Sequence, residues 1–201
     1  MKKLKLDKGK RALVIVAHPD DETIWMGGVI LRNPEVNWTI FSLCRASDND
    51  RAPKFKKACK HYGAECLISD LDDEGRPGYR EVILEAQKLI IKKIGNKKFD
   101  YIFTHGKNGE YGHPIHIQTH TSVNNLLKEK LLKGKNIFYF NYKKEDKIII
   151  PGKNPDFIVN LSEEEFFEKK RIVSRMYGYS MDGIDVGYCT NPEVFKRSII
   201  K

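Results

Sequence analysis

Residues 17–22, Ala-His-Pro-Asp-Asp-Glu, constrain the fold of this chain most, because they follow directly an apolar stretch at residues 13–16. One imidazole and three carboxylates stand where a buried strand should reach the surface. Charged groups at such a place are costly unless they are solvated, paired or bound to a metal ion. Ligands of open α/β sheets bind outside the carboxyl ends of the strands. The run therefore predicts a functional site at the end of a first strand.

A second polar run has the same position relative to a later strand. Residues 111–116, Tyr-Gly-His-Pro-Ile-His, come shortly after the apolar stretch at residues 101–104. Both runs lie where a predicted strand is followed by a helix, so one edge of the sheet can bring them together. Together they supply two imidazoles and one carboxylate for a metal ion, and a further carboxylate and imidazole for proton transfer.

The order of elements along the chain predicts an α/β fold. Apolar runs of strand length alternate with longer segments of helical period, which is typical of βαβ units and a mostly parallel sheet with helices on both faces. After Gly178 this pattern fades. The predicted strands cover residues 13–17, 36–44, 65–68, 99–104, 136–141 and 156–161. The first predicted helix follows the first strand and ends at Asn33-Pro34. Further helices are predicted for residues 53–62, 78–94 and 116–132, and a last one begins at Ser162 with a capping box.

Length and composition favour one globular domain over residues 1–201. The chain has 201 residues, of which 40% are hydrophobic and 31% charged. No stretch approaches the roughly 18 consecutive apolar residues of a membrane span, and the Lys-rich start lacks the apolar core of a signal peptide. The four cysteines show no CxxC spacing, and we expect a reducing, cytoplasmic location.

The net charge of +9 leaves the nature of the partner open. Basic chains of this kind bind nucleic acid, anionic membrane surfaces or anionic substrates. The lysines are spread over the whole sequence, which favours an ordinary solvated surface, with an acidic or phosphate-bearing substrate as the alternative. Aromatic residues do not alternate with the basic runs, as a stacking platform for single strands requires, so we expect no nucleic-acid partner.

The two runs fit a catalytic zinc site, which needs three N or O ligands and an open position for water. His18 and Asp21 are three residues apart at the start of a helix, so both side chains can point the same way. His116 can complete the set, and Pro19 stiffens the turn between the first two ligands. Coordination lowers the pKa of a bound water from about 15.7 to roughly 7.

Two residues beside these ligands are candidates for proton transfer. Asp20 is the natural general base for the water, and His113 can stabilise an oxyanion or protonate the leaving group. Such groups typically contribute about 10² to 10⁴ in rate. Attack on a carbonyl carbon is the reaction that these parts fit.

Alternative interpretations exist for each part. His61, His105 and His120 are expected to be satisfied surface or core residues, although His120 stands four residues from His116 and can form a metal-binding pair with it on one helix. His120 lies about 6 Å further along the helix axis, away from the strand edge. The acids at residues 20–22 could simply complement a helix dipole, but this leaves His18-Pro19 unexplained.

The two runs resemble the signatures of the LmbE-like, or PIG-L, zinc deacetylases. The first is usually (A/P)HPDDE and is present unchanged at residues 17–22, and the second, usually YGHPDHxxxH, reads YGHPIHIQTH at residues 111–120. The resemblance spans residues 13–132. It implies a Rossmann-like fold and removal of the acetyl group from an N-acetylglucosamine unit, often in a glycoside or glycolipid. It also implies zinc at His18, Asp21 and His116.

The resemblance also implies roles for the remaining site residues. Asp20 matches the general base, His113 the second proton-handling or oxyanion group, and Tyr111 a mobile tyrosine that polarises the substrate carbonyl. Arg51 falls where many members have an RxxE segment that contacts substrate, but Lys54 replaces the Glu. Ile115 replaces an Asp that could hold His113 in its charged form, so we expect His113 to titrate lower here and the acidic limb of activity to shift.

Two rival functions remain open at this point. The chain could cut another sugar-linked amide, such as a thiol-sugar conjugate, with the same chemistry. It could instead be a basic binding module with a vestigial metal site, which rests on the net charge alone. The ligand set also accepts other divalent ions, Fe²⁺ among them.

Overall fold

A computed structural model describes residues 2–75 and 77–198. The strands are β1 Lys2–Lys3, β2 Arg11–Val16, β3 Asn37–Ser42, β4 Glu65–Ile68, β5 Lys98–Thr104, β6 Lys133–Phe140, β7 Tyr142–Glu145, β8 Ile148–Pro151, β9 Phe157–Val159 and β10 Glu193–Ser198. The helices are α1 Asp21–Arg32, α2 Arg51–His61, α3 Tyr79–Ile94, α4 Gly109–Gly112, α5 Pro114–Lys128, α6 Glu163–Tyr177 and α7 Ile184–Gly187. The predicted domain over residues 1–201 includes Met1, Arg76 and residues 199–201, which lie outside the described residues.

The main sheet has eight strands in the order β1-β9-β10-β6-β5-β2-β3-β4. Its central strands, from β6 through β5, β2 and β3 to β4, are all parallel to their neighbours. β10 runs antiparallel to both β6 and β9, and β7 pairs with β8 in a separate hairpin. The predicted mostly parallel α/β sheet is confirmed, and the parallel arrangement is interrupted only around β10 within the described chain.

Both faces of the sheet are covered, which explains why β2 is apolar throughout. Successive side chains of a strand point to opposite faces. On β2, Val14 and Val16 therefore pack into a cluster with residues of α1, α2 and α6, while Leu13 and Ile15 pack into a second cluster with residues of α3 and α5. A strand buried on both faces has no solvent-facing position for a polar residue. The first polar group after β2 consequently lies at the edge of the sheet.

Most element boundaries follow the predicted ones closely. β4 coincides with the predicted strand at residues 65–68, and α3 begins directly after Gly78. The capping box of α6 is formed, because the Glu165 N–H donates to Ser162 Oγ at 3.2 Å and the Ser162 N–H donates to Glu165 Oε2 at 2.7 Å. These local signals were sufficient to locate the starts of both helices.

One predicted helix end was wrong, and the segment after Gly178, for which no element was predicted, contains regular elements. The helix predicted for residues 116–132 ends at Lys128, because the chain reverses through Lys130 at a φ of +58° and Leu132 packs into the core. The segment after Gly178, where the sequence pattern fades, forms α7 and the buried first half of β10. Among the described residues, no helix is long and apolar enough to cross a membrane.

Candidate metal centre and its cavity

The first polar run forms the turn between β2 and α1. Asp20 has a φ of +114°, a conformation that residues other than glycine rarely adopt and that costs on the order of 1–3 kcal/mol. Two hydrogen bonds hold the turn: the Asp20 N–H donates to Glu22 Oε2 at 3.1 Å, and the His18 N–H donates to Asp21 Oδ2 at 2.9 Å. Strain of this kind concentrates at functional sites, where the surroundings enforce it.

The second polar run, residues 111–116, follows the carboxyl end of β5 and spans the end of α4 and the start of α5. Glu110, which lies on α4 with a φ of +58°, is completely buried. Its Oε2 accepts from His105 Nδ1 at 2.7 Å and from His116 Nδ1 at 2.8 Å, and its Oε1 accepts the Gly106 N–H at 2.7 Å. One buried carboxylate therefore fixes the orientation of two imidazole rings.

The three predicted metal ligands lie together where the two runs meet. Asp21 Oδ2 is 3.5 Å from His18 Nδ1 and 3.4 Å from His116 Nε2. The imidazole rings of His18 and His116 have centroids 5.5 Å apart. The structure thus brings together side chains that are almost a hundred positions apart in the sequence.

The hydrogen bonds of these residues leave a ring nitrogen available to a bound cation. His116 Nδ1–H donates to Glu110, so the lone pair is on Nε2, and this buried atom has no hydrogen-bond partner among the described residues. Burial alone would lower the pKa of His116, but Asp21 raises it overall. The pKa of Asp21 is in turn held well below its ordinary range, against the effect of burial, by His116 and His105. The cluster therefore attracts positive charge, and its donor set suits a divalent metal ion.

Three other histidines differ from these ligands. His105 has no free lone pair for the cluster, and His120 and His61 lie outside it. His105 Nε2, although 3.5 Å from Asp21 Oδ2, accepts the Ala17 N–H at 3.0 Å, while its Nδ1 is engaged by Glu110. His120 Nδ1 donates to the His105 carbonyl at 2.8 Å, and this residue lines a different cavity. His61 lies at the surface on α2, 3.5 Å from Glu168.

Asp20 lies beside the cluster with one carboxylate oxygen already engaged. Its Oδ2 accepts from Arg51 Nη2 at 2.8 Å and from Tyr179 Oη at 2.5 Å. Burial raises the pKa of Asp20 to about 7, Asp21 adds to this effect, and Arg51 and Tyr179 oppose it. Asp20 is therefore a carboxylate with a pKa near neutrality, which is the range in which a general base works best.

His113 joins the same group of imidazoles. Its ring meets that of His18 edge to face with centroids 4.9 Å apart, and its buried Nδ1 has no partner among the described residues. Burial, together with His116 and His18, lowers the pKa of His113 to about 4. Because ligand atoms of His18, His113 and His116 lie within 4.8 Å of one another, His113 is geometrically an alternative ligand to Asp21.

A cavity of about 470 Å³ opens over this cluster, a size typical of small-molecule sites. Tyr111 and Arg51, both singled out from the sequence, are part of its wall. Burial raises the pKa of Tyr111 far above its ordinary value, so its hydroxyl stays protonated and can donate a hydrogen bond. The cavity is lined by His18, Asp20, Asp21, Ile24, Trp25, Arg45, Asp48, Arg51, Asp73, Tyr111, His113, Tyr179, Asp185 and Tyr188.

Sequence reasoning missed Glu110, Asp73 and Tyr179. Asp73 Oδ2 lies 3.3 Å from His18 Nε2 and accepts from Arg45 Nε at 2.9 Å, and Tyr179 contacts Asp20 from 159 positions further along the chain. None of these three stands in a recognisable motif. Glu110 alone carried a signal, because it directly precedes the second polar run and follows Gly109.

The chain matches the family model described as PIG-L, GlcNAc-PI de-N-acetylase, over residues 13–127. Among curated proteins, the chain is 26% identical to the N-acetylglucosaminyl-phosphatidylinositol de-N-acetylase of Bos taurus, over 63% of this chain and 54% of that protein. It is 28% identical to the 1D-myo-inositol 2-acetamido-2-deoxy-alpha-D-glucopyranoside deacetylase of Mycolicibacterium smegmatis, over 55% of this chain and 50% of that protein. The chain therefore spans about half the length of these relatives.

Solved structures share the fold over almost the whole chain. The 4-carboxy-2-hydroxymuconate hydratase of Pseudomonas putida superposes with a TM-score of 0.67 at 12% identity, covering 96% of this chain and 97% of the hydratase. The N,N'-diacetylchitobiose deacetylase of Pyrococcus horikoshii gives a TM-score of 0.63 at 19% identity, covering 94% and 84%. At these identities the likeness concerns the fold, and it includes the segment after Gly178.

Proposed function

The chain belongs to the PIG-L, GlcNAc-PI de-N-acetylase family, and from this membership we propose that it is a metal-dependent hydrolase that removes the acetyl group from an N-acetylglucosamine-type sugar or glycoconjugate. The observation that carries the proposal is the meeting of His18, Asp21 and the fully buried His116, next to Asp20 and beneath a cavity that His18, Asp20 and Asp21 line. Neither motif alone supplies both a ligand set and a base.

His18, Asp21 and His116 are the residues that would hold the metal ion. A divalent ion at this position supplies Lewis acidity and lowers the pKa of a bound water towards neutrality. We propose Zn²⁺, because two imidazoles and one carboxylate are a common catalytic zinc set, with Fe²⁺ as the alternative. Glu110 acts on the ion only through His116, whose ring it orients.

Asp20 would accept the proton of the attacking water. Its Oδ2 is engaged by Arg51 and Tyr179, and within the described chain no hydrogen bond is made to Oδ1, which is therefore the oxygen available to water. The water oxygen bonds to the acetyl carbon, the C–N bond breaks, and the proton taken by Asp20 passes to the departing nitrogen. The products are acetate and the free amino sugar.

His113 and Tyr111 would act on the acetyl group itself. With a pKa of about 4, His113 is neutral near pH 7 and carries one N–H, which can donate to the developing oxyanion. The protonated hydroxyl of Tyr111 is a second donor in the same wall. Arg51 is proposed to contact substrate, although its guanidinium is already engaged by Asp20.

We also propose a reducing, cytoplasmic location. The support is that all four cysteines, Cys44, Cys59, Cys66 and Cys189, are free thiols, three of them buried. A buried thiol in contact with apolar side chains has an inert structural role.

The experiment that tests the function is acetate release from a panel of N-acetylated sugars by metal-loaded protein. We expect release that is lost on chelation and restored by Zn²⁺. Acetate release that survives complete removal of metal contradicts the proposal. A panel that gives no acetate but shows cleavage of another sugar-linked amide favours the first rival. Metal-free protein that binds polynucleotides with a steep salt dependence favours the second.

A further inference from the structure

The lining of the cavity has the opposite charge balance to the rest of the molecule. The chain carries a net charge of +9, with basic residues spread along it. Among the described residues, five aspartates and two arginines but no lysine line the cavity. With the two charges of a bound divalent ion added, the five carboxylates still exceed the positive charges by one, so a substrate approaching the metal centre meets a carboxylate-rich wall.

Both arginines of the wall are already paired with carboxylates, which offset most of their attraction for an anion. Arg51 Nη2 donates to Asp20 Oδ2 at 2.8 Å and to the Pro19 carbonyl at 3.1 Å, and Nη1 contacts the Tyr179 hydroxyl. Arg45 approaches Asp73 Oδ2 through Nε at 2.9 Å and through Nη2 at 2.8 Å. Recruiting either guanidinium to a phosphate would leave a buried or half-buried carboxylate without its counter-charge, which is costly.

Asp185 is the one wall carboxylate for which the described part of the chain shows neither an ion pair nor a side-chain hydrogen bond. It is half-buried and lies on α7, between Tyr179 and Tyr188 in sequence. An ionised carboxylate accepts hydrogen bonds only, so it can bind hydroxyl or ammonium groups but repels a phosphate. Tyr188 and Tyr111, with ring centroids 5.3 Å apart, add aromatic faces on the same side of the cavity.

We propose that the cavity selects sugars whose remaining part is uncharged or cationic, such as neutral glycosides, polyols or amino sugars, and discriminates against phosphate-bearing ones, with Asp185 as a determinant of this preference. This inference rests on the proposed deacetylase function. It is the opposite of what the net charge of the chain suggests, because the lysines that produce that charge lie outside the cavity.

The test compares two matched substrates, the methyl glycoside of N-acetylglucosamine and N-acetylglucosamine 1-phosphate, with Zn²⁺-loaded protein at about 0.15 M salt. We expect kcat/KM for acetate release to favour the neutral sugar by about tenfold or more. In Asp185→Lys this preference should shrink by about threefold or more. Asp182→Lys, an exposed position on the same segment outside the cavity, should leave it unchanged and serves as the matched control.

Equal or better turnover of the phosphate overturns the inference, as does a preference that Asp185→Lys leaves intact. Asp185→Asn, which removes the charge without adding length, replaces the lysine variant should that fail to fold, and the expected direction is the same. Titration calorimetry with the methyl glycoside of glucosamine and with glucosamine 1-phosphate measures the preference without turnover. Tighter binding of the neutral sugar with no acetate from any substrate means that the proposed function fails while the charge selection stands.

Discussion

Two buried groups of charged residues contact α1, and they differ in whether their polar atoms are satisfied. In the first, Lys169 Nζ donates to Glu193 Oε1 at 2.8 Å and to the Thr190 carbonyl at 3.2 Å. Lys169 and Glu193 are both fully buried. The two Glu193 oxygens also accept the N–H groups of Gly28 and Val29, at 2.9 and 2.8 Å. These N–H groups follow Met26, where α1 is kinked, so Glu193 caps the second part of the helix.

In the second group, at the first turn of the same helix, hydrogen bonds remain unmade. The buried His116 Nε2 and His113 Nδ1 have no hydrogen-bond partner in the described part of the chain, and His116 Nε2 lies 3.4 Å from Asp21 Oδ2. Buried polar atoms are ordinarily hydrogen-bonded, and an unsatisfied one needs a specific reason. The comparison indicates that burial of charge alone does not mark a site: Lys169 and Glu193 satisfy each other, whereas His116 and His113 keep ring nitrogens that could bind a metal ion.

Asp20→Asn should have the largest effect. Compared with Asp21→Asn, it distinguishes the proposed general base from the proposed metal ligand. Removing the base should lower the rate of acetate release by about 10² to 10⁴ while zinc content stays near the parental value. Asp21→Asn should instead lose zinc, because it removes a proposed ligand. Both are measured by steady-state kinetics and elemental analysis of the purified variants. Equal loss of zinc in the two variants would contradict the separation of base and ligand.

Lys169→Met should reveal the structural nature of the first group. Leaving the Glu193 carboxylate buried without its ammonium partner should lower the free energy of unfolding by about 3–5 kcal/mol. Zinc affinity of the folded protein should not change, because neither Lys169 nor Glu193 contacts the ligands. Denaturant titration and a competitive zinc assay measure the two quantities, and Lys170→Met, half-buried next to it, is the control. A large drop in zinc affinity would mean that the two groups are not independent.

Glu110→Gln should weaken the metal site by a smaller factor. Glu110 accepts from both His105 and His116, and an amide can present its NH₂ group to one of those nitrogens and so misorient the ring. Loss of such a supporting partner typically costs about 10- to 100-fold in metal affinity. Competition with a chelator of known affinity measures this. Unchanged zinc affinity would show that the protein backbone alone positions His116.

Ile115→Asp should have the smallest effect. It should change the pKa of His113 rather than the affinity for the metal ion. Burial and the neighbouring imidazoles lower the pKa of His113 to about 4, and a carboxylate nearby favours the charged form, so the substitution should raise that pKa. Since the neutral imidazole is the proposed active form, activity is lost as pH falls through this pKa, and the acidic limb should move to higher pH. NMR titration of His113 and a pH profile test this. A pH profile that overlays the parental one would contradict this prediction.

The sequence was informative where a constraint is local. The apolar residues of β2 and β5 predict strands covered on both faces, and the polar residues directly after them predict a common edge where His18, Asp21 and His116 meet. Ser162 and Glu165 likewise predict the start of α6. Each of these signals lies within a few residues of the element that it defines.

Tyr179 and Glu193, which the sequence analysis did not single out, act over long distances in the chain. Tyr179 reaches Asp20, and Glu193 reaches Gly28, from more than 150 positions away, and no spacing rule connects such pairs. β10 runs antiparallel to β6 and β9 and is buried only in its first half, so it lacks the longer continuous apolar run of the central strands. The N–H groups that Glu193 accepts directly follow the kink at Met26, so the residues that stabilise this part of α1 are also remote in sequence.

The most direct test of the metal centre is an anomalous-scattering map of the crystalline protein loaded with Zn²⁺. We predict one strong peak bonded to His18, Asp21 and His116 at about 2.0–2.2 Å, with His113 close by but outside bonding distance. A peak bonded to His113 in place of Asp21 would reassign both residues. A map with no peak between His18 and His116, from protein shown to contain zinc, would contradict the account.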